Sequence, residues 1–430
     1  AETFIDDGDP RGVRACALEI LESEPQSIEG KALLAESELY LGRLDDATVL
    51  IDDVLSREPK HLRARLVKGG IAAERFRLDI ELPILRGVVD DARLNSDKNI
   101  LFRALTWLSN GLYLAGEPDA AADCLLEASQ LKDDRAAELY GKHLFYRNYR
   151  HTPSLDAAKK YQSFFGNIKP FEPKPPQSKK IRIGYISPDF RNHAVAYFVE
   201  PFFRYFDAAR FEVFCYQTTK GDAVTRRLKK NKVHWRELID KTPLDAARKI
   251  HDDALDILID LSGHSQNSCL PIMAYKPAPI QITAIGYIAT TGLEAIDFFL
   301  SDEFCLPSSQ STGEFGEKII RLPDCHMCFA PNVVKKMPRG AEMPPVVRNG
   351  YITFGSFNNF AKVSDQVLAL WKEILTRVEN SRLIIKAKTC SIESGREIVH
   401  RRLKNMSIDP SRVELREFST DWLEQYLDVD

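Results

Sequence analysis

A chain of 430 residues is too long for one ordinary hydrophobic core, so two or three domains are expected. Hydrophobic residues make up 44% and charged ones 28%, the balance of a water-exposed globular protein, and no apolar run approaches the roughly 20 residues that cross a bilayer. A net charge of −3 gives no overall pull toward nucleic acid or an acidic membrane, and eight scattered cysteines match no disulfide framework, which points to a reducing compartment. The chain starts without a methionine and stops on "YLDVD", as part of a longer polypeptide would.

The first sixty residues align on themselves with a shift of 34: Gly8 falls on Gly42, Leu21 on Leu55 and Pro25 on Pro59. Each block reads as two helices joined by a turn, with Ala35 and Ala47 small enough for close helix approach. The pattern returns at "GLYLAGEPDAAADCLLEASQL" around Gly116, whereas 62–97 keep helical periodicity without the signature. Residues 1–165 are therefore read as tetratricopeptide-like helical repeats forming an α-superhelix. Segment 166–180, rich in proline and lysine, is the expected linker.

From 181 the character changes to alternating strands and helices: "IRIGYIS", "AYFVEPFFRYF", "FEVFCYQ", a basic helix, "HWREL", "LDAARKIHDDA" and "LDILIDLSG". Continuous apolar strands in this order predict a parallel sheet covered on both faces, a Rossmann-like lobe over 181–330. A second proline-rich break, 331–350, is the next linker. The alternation then restarts over 351–430 with a strand at 351–354, a helix at 364–378, "SRLIIKA", "GREIVHRRLKNM", "RVELREF" and a final helix. That second Rossmann-like lobe is expected to be incomplete. In helix 364–378, Val367, Leu370, Trp371, Ile374 and Val378 are read as the apolar face, with Ser364 as N-cap.

Ligands of parallel α/β sheets bind at the carboxyl ends of strands, so polar residues there carry most weight. After the first strand come Ser187, Asp189, Asn192 and His193; a histidine at a helix start is disfavoured in its protonated form and could accept a proton, or could simply be satisfied by backbone. Asp260 closes "ILID" and His264 follows Gly263; the carboxylate could orient the imidazole, but capping of the next turn is favoured on the residues alone. The strand "YITFGS" ends in Ser356, Asn358, Asn359 and Lys362 before a helix, a reasonable anion site. Neither GxGxxG nor GxxxxGK[ST] is present. "CHMC", Cys325 to Cys328, has zinc-like spacing, but no second pair completes it, and inside a strand-like run it reads as packing. The basic run 226–232 reads as a solvated helix face, so no nucleic-acid partner is expected.

Taken together, "IGYISPDFRNHAVAYF", "DILIDLSGHSQNSCLPIMAYKPAPIQITAIGYIATTGLEAIDFFLSD", "RLPDCHMC" and "NGYITFGSFNNFAKVSDQVLALWKEIL" resemble the catalytic region of the O-linked N-acetylglucosamine transferase and SPINDLY family. The resemblance runs from about residue 140 onward, and the spelling looks closer to the SPINDLY and bacterial branch than to the animal transferases. It implies two Rossmann-like lobes in the glycosyltransferase-B arrangement. The implied activity is inverting, metal-free transfer of a sugar from a nucleotide diphosphate to serine or threonine of intracellular proteins. UDP-N-acetylglucosamine is the first donor implied and GDP-fucose the second; no cofactor or membrane is implied, and the repeats would recruit protein acceptors or pair two copies. The implied location is cytoplasmic, or nuclear in a eukaryote.

By the same resemblance, Lys362 matches a lysine contacting the donor phosphates, with Ser356 and Asn358 beside it. Asn359 stands where animal members carry a nucleotide-contacting glutamine, His193 matches a histidine facing the reacting sugar, and Asp260 with His264 matches a polar pair of the same cleft. Departures are Trp422 and Ser419, where animal members carry a histidine and a lysine, and Ile288, where a proline is usual. The family also continues past residue 430 with a threonine-rich phosphate loop, so a partial donor site is expected. These departures motivate the rival reading, a repeat scaffold with a degenerate, inactive transferase region.

Overall fold

The computed structural model describes residues 2–6, 8–149, 154–175, 178–310, 312–329, 343–419 and 424–430. Two compact units divide the chain: Asp134–Lys336, and Ala1–Asp133 together with Met337–Asp430. The linker remainder 331–342 and Trp422 lie outside the described residues.

The unit Asp134–Lys336 is built on seven strands: β1 Ile181–Ser187, β2 Phe211–Gln217, β3 His234–Glu237, β4 Ile257–Asp260, β5 Ile280–Thr283, β6 Phe298–Asp302 and β7 Lys318–Leu322. They lie in the order β3-β2-β1-β4-β5-β6-β7 and every pairing is parallel, so all carboxyl ends share one edge. The order reverses between β1 and β4, which makes that position the switch point of an open α/β sheet. β2 is buried along Val213–Gln217, as a strand covered on both faces must be. Phe190, Val199, Phe203, Val213, Cys215 and Leu261 form the core beneath helix Ala194–Tyr205.

This unit starts earlier than the composition shift at 166–180 suggests. The rings of Phe145 and Tyr161 pack on Tyr287 and His264, and Gln162 accepts the Glu294 N–H. The linker itself is docked: the Phe171 ring stacks on His251 at 4.6 Å and its N–H donates to Tyr275 O. β7 ends at Leu322, where Pro323 removes the next ladder donor, so "CHMC" is no strand and Cys325 and Cys328 are exposed rather than packed.

In the other unit, helices Pro10–Ser23, Ile28–Tyr40, Leu44–Arg57, Leu62–Glu74, Leu78–Leu94, Lys98–Leu114 and Pro118–Ala128 pack against their chain neighbours. Gly42 adopts φ 76° after the second of these, while Arg43 N–H reaches back to Glu38 O, which closes the helix end. At 76, one period later, Phe76 takes φ 54° and Arg77 N–H bonds Ala72 O in the same pattern. The repeat thus continues through 62–97 with a phenylalanine in the glycine's place.

Three further parallel strands belong to this unit: β8 Ile352–Ser356, β9 Ser381–Lys386 and β10 Val413–Arg416, in the order β10-β9-β8. Helix Asp365–Arg377 is N-capped by Ser364 as expected, but its buried face is Leu368 and Leu375 flanked by Val367 and Trp371. Leu370 and Ile374 are exposed, because the helix is rotated to set Leu368 against the β8–β9 core. The repeat turns dock on this sheet's loops. Leu78 N–H donates to Ser394 Oγ at 3.0 Å, and Thr389 Oγ1 donates to Leu114 O at 2.8 Å.

Candidate functional site

The carboxyl end of β1 is the first place to look. Ser187 is fully buried and its hydroxyl accepts the Asp189 N–H, which turns the chain outward. His193 is the N-cap of helix Ala194–Tyr205; its Nδ1 accepts the Val195 N–H at 3.3 Å, and its side chain stays 45% exposed. The buried Asp189 carboxylate lies 3.6 Å from the same Nδ1. As a cap, the neutral ring carries its proton on Nε2 and can donate to a substrate oxygen. Turned toward Asp189, it becomes Nδ1–H and Nε2 becomes a proton acceptor. Asn192 is held apart, its N–H on Asp222 and its Oδ1 accepting the Tyr197 hydroxyl.

Next to it, the end of β4 is sealed. Asp260 is fully buried, and its carboxylate accepts from Ser262 N–H and Oγ–H, Gly263 N–H and Thr283 Oγ1–H at 2.7–3.2 Å. Gly263 sits at φ 50° with Tyr287 where a Cβ would be, so only glycine makes this turn. Burial raises the Asp260 carboxyl above its ordinary value, opposed by those hydrogen bonds. His264 is buried between the edges of Tyr161 and Tyr287 and donates Nε2–H to Thr291 O at 2.8 Å. Nδ1 finds no hydrogen-bond partner among the described residues, and burial lowers the imidazole to about 4, so the ring is neutral. The structure does not bring Asp260 and His264 into a carboxylate–imidazole hydrogen bond: each turns to other partners.

On the three-stranded sheet, β8 delivers Ser356 and Asn358 to a hollow of about 540 Å³ lined also by Phe357, Trp371, Tyr426 and Val429. Lys362 ends the short 3₁₀ turn Phe360–Lys362 and is exposed just ahead of the Asp365–Arg377 N-terminus. Asn359 is drawn to other work: its Nδ2 donates to Tyr113 Oη at 2.6 Å, and its Oδ1 accepts the Ala361 N–H. Lys386, absent from the sequence reading, closes β9 beside Ser356, buried, with Nζ 5.5 Å from the Phe357 ring. Its signal was present, since "SRLIIK" is an apolar strand that ends in a cation. Ile288 is exposed and Ser419 part-buried.

Residues 167–337 match the family described as Glycosyl transferase family 41. A SPINDLY protein of Petunia hybrida is 39% identical over 244 residues, 55% of this chain and 26% of that one. Its counterpart in Arabidopsis thaliana is 38% identical over 262 residues, covering 59% and 28%. Both are described as probable UDP-N-acetylglucosamine–peptide N-acetylglucosaminyltransferases, and the chain spans only about a quarter of their length. Among solved structures, a lysine-to-methionine mutant of Thermobaculum terrenum O-GlcNAc transferase matches with TM-score 0.75 and 25% identity, over 94% of this chain and 76% of that one.

Proposed function

We propose that this chain, whose residues 167–337 match Glycosyl transferase family 41, is part of a protein O-glycosyltransferase. The donor is a nucleotide diphosphate sugar, UDP-N-acetylglucosamine first and GDP-fucose second. The acceptor is a serine or threonine hydroxyl of a protein held by the helical repeats. The hydroxyl oxygen attacks the anomeric carbon from the face opposite the diphosphate, so the new bond is inverted. The old C–O bond breaks toward phosphate, and the hydroxyl proton passes to His193 Nε2, with Asp189 holding Nδ1–H.

The departing diphosphate gains negative charge as this happens. Lys362 and the N–H groups at the start of helix Asp365–Arg377 would meet it, with Ser356 and Asn358 toward the nucleotide. No divalent ion is needed for that step when a lysine and a helix terminus supply the countercharge. The carrying observation is the exposed imidazole of His193 at the switch point, backed by a buried carboxylate.

A donor panel on the full-length protein tests the reading, with nucleotide release and peptide labelling followed together. Labelling from one donor supports transfer and identifies the sugar. No turnover with any donor favours the scaffold reading, whereas nucleotide release without labelling means that the donor is cleaved with water in place of the protein hydroxyl.

A further inference from the structure

The helices Ile28–Tyr40, Leu62–Glu74 and Lys98–Leu114, the first members of three helix pairs, lie side by side and line a hollow of about 510 Å³. Tyr40 and Trp107 wall it edge to face, 6.2 Å between ring centroids, and Phe76 adds a third, exposed ring. Gly70 and Gly111 keep it open: a Cβ at Gly70 would strike the Trp107 ring, and one at Gly111 the Glu81 carboxylate.

Glu81 departs from the repeat. Five residues past the turn at Gly42 stands the buried Ala47, and five past Gly116 the buried Ala121, small residues that let helices approach closely. Five past Phe76 stands Glu81, 2% exposed and lining the hollow. Among the described residues no hydrogen bond or ion pair reaches its carboxylate, and burial pushes it up to about 7. An acid in the first turn of a helix suits the helix dipole, but Asp79 already supplies one there from the exposed side, paired with Arg77. A buried carboxylate without a counter-charge disfavours the fold. No lysine, arginine or histidine lines the hollow among the described residues, and Arg103, 5.7 Å from the Trp107 ring centroid, is paired with Glu36. Glu74 contributes a second carboxylate. Carboxylates beside aromatic rings are the chemistry that receives an ammonium or guanidinium group.

We propose that this hollow takes a lysine or arginine side chain from a protein segment lying along the repeats, with the cation against Glu81 and the stem against Tyr40 and Trp107. Stacked helix pairs bind partners along such shared surfaces. The inference rests on the reading that the repeats hold a protein acceptor, and it names a residue that acceptor carries.

The test is fluorescence polarisation on the full-length protein with fluorescein-labelled Ser/Ala peptides that differ only in a central lysine, arginine, glutamine or glutamate. Binding is read without any donor, so its failure and a failure of sugar transfer are separate results. A cationic peptide should bind roughly tenfold more tightly than the glutamine peptide, and the glutamate peptide more weakly still. The tighter of the lysine and arginine peptides identifies the side chain. Glu81→Gln keeps the shape and should erase the preference. Glu81→Ala restores the residue of the other repeats and should erase it too, without lowering the melting temperature. Equal binding of the glutamine peptide, a preference that survives Glu81→Gln, or no measurable binding of either cationic peptide at millimolar concentration would overturn the assignment. So would a lowered melting temperature in Glu81→Ala, which would make the carboxylate a structural group.

Discussion

β1 and β4 are neighbours in one sheet, and at or just past the end of each a carboxylate is followed within a few residues by a histidine. After β1, Asp189 is buried but His193 is out in solvent on a helix start. After β4, Asp260 and His264 are both buried, one accepting four hydrogen bonds and the other fixed on Thr291. Similar spelling gives two different chemistries, because Gly263 folds the second turn inward against Tyr287. A polar strand end is therefore a reactive group only where its donors are not already matched inside the fold.

The comparison breaks most visibly at His193. His193→Asn keeps a good N-cap, since asparagine accepts the same backbone N–H, but removes the imidazole. Turnover should fall about 10²- to 10⁴-fold, the range of a general base, with the melting temperature unchanged. Asp189→Asn should follow in the same direction. If His193→Asn works at the normal rate on the donor panel, the exposed end of β1 is not the proton acceptor.

Asp260→Ala should behave in the reverse way. It strands four buried donors, which costs on the order of 3 kcal/mol and lowers the melting temperature by roughly 10 °C. Any fall in turnover should track the folded fraction. A stable variant with no activity would reassign Asp260 to the chemistry.

His264 yields a pH signature. Burial lowers its folded value from 6.5 to about 4, so between these values the unfolded chain binds more protons. Its contribution is complete above about 6.5 and is lost progressively as pH falls toward 4, on the order of 3 kcal/mol in total. Asp260 runs oppositely: its raised carboxyl favours the fold at acid pH and that contribution fades as pH rises through its folded value. The difference between wild type and His264→Leu in urea melts across pH 4–7 isolates the histidine. Parallel pH profiles for the two proteins would mean that the ring is not sealed.

The alternation of strands and helices and the repeat were readable because they follow from periodicity. The hidden repeat at 62–97 was not, because its signal is a glycine, and Phe76 shows that the turn geometry survives without one. Burial of Asp260 and His264 depends on Tyr161, Tyr287 and Thr291, which no local pattern connects to them. The face of helix Asp365–Arg377 was misplaced because Leu370 and Ile374 fit the same periodicity as Leu368 and Leu375, and only the position of β9 decides between them.

At the end of β8 the expected effects are smaller. Lys362→Ala removes an exposed cation ahead of a helix N-terminus. If that cation meets the departing diphosphate, about 1.5–3 kcal/mol of transition-state stabilisation goes with it, roughly ten- to hundredfold in kcat with little change in stability. Asn359→Ala loses the hydrogen bond to Tyr113 and the cap on Ala361, about 1 kcal/mol each way at most, and should loosen the repeat helices' hold on this sheet while turnover stays within a few-fold. Amide hydrogen exchange around Tyr113 and Ala361 would register that loosening. If instead Asn359→Ala disables turnover and Lys362→Ala does not, the roles of amide and cation are exchanged, and an asparagine engaged in the free protein must release Tyr113 when the donor binds.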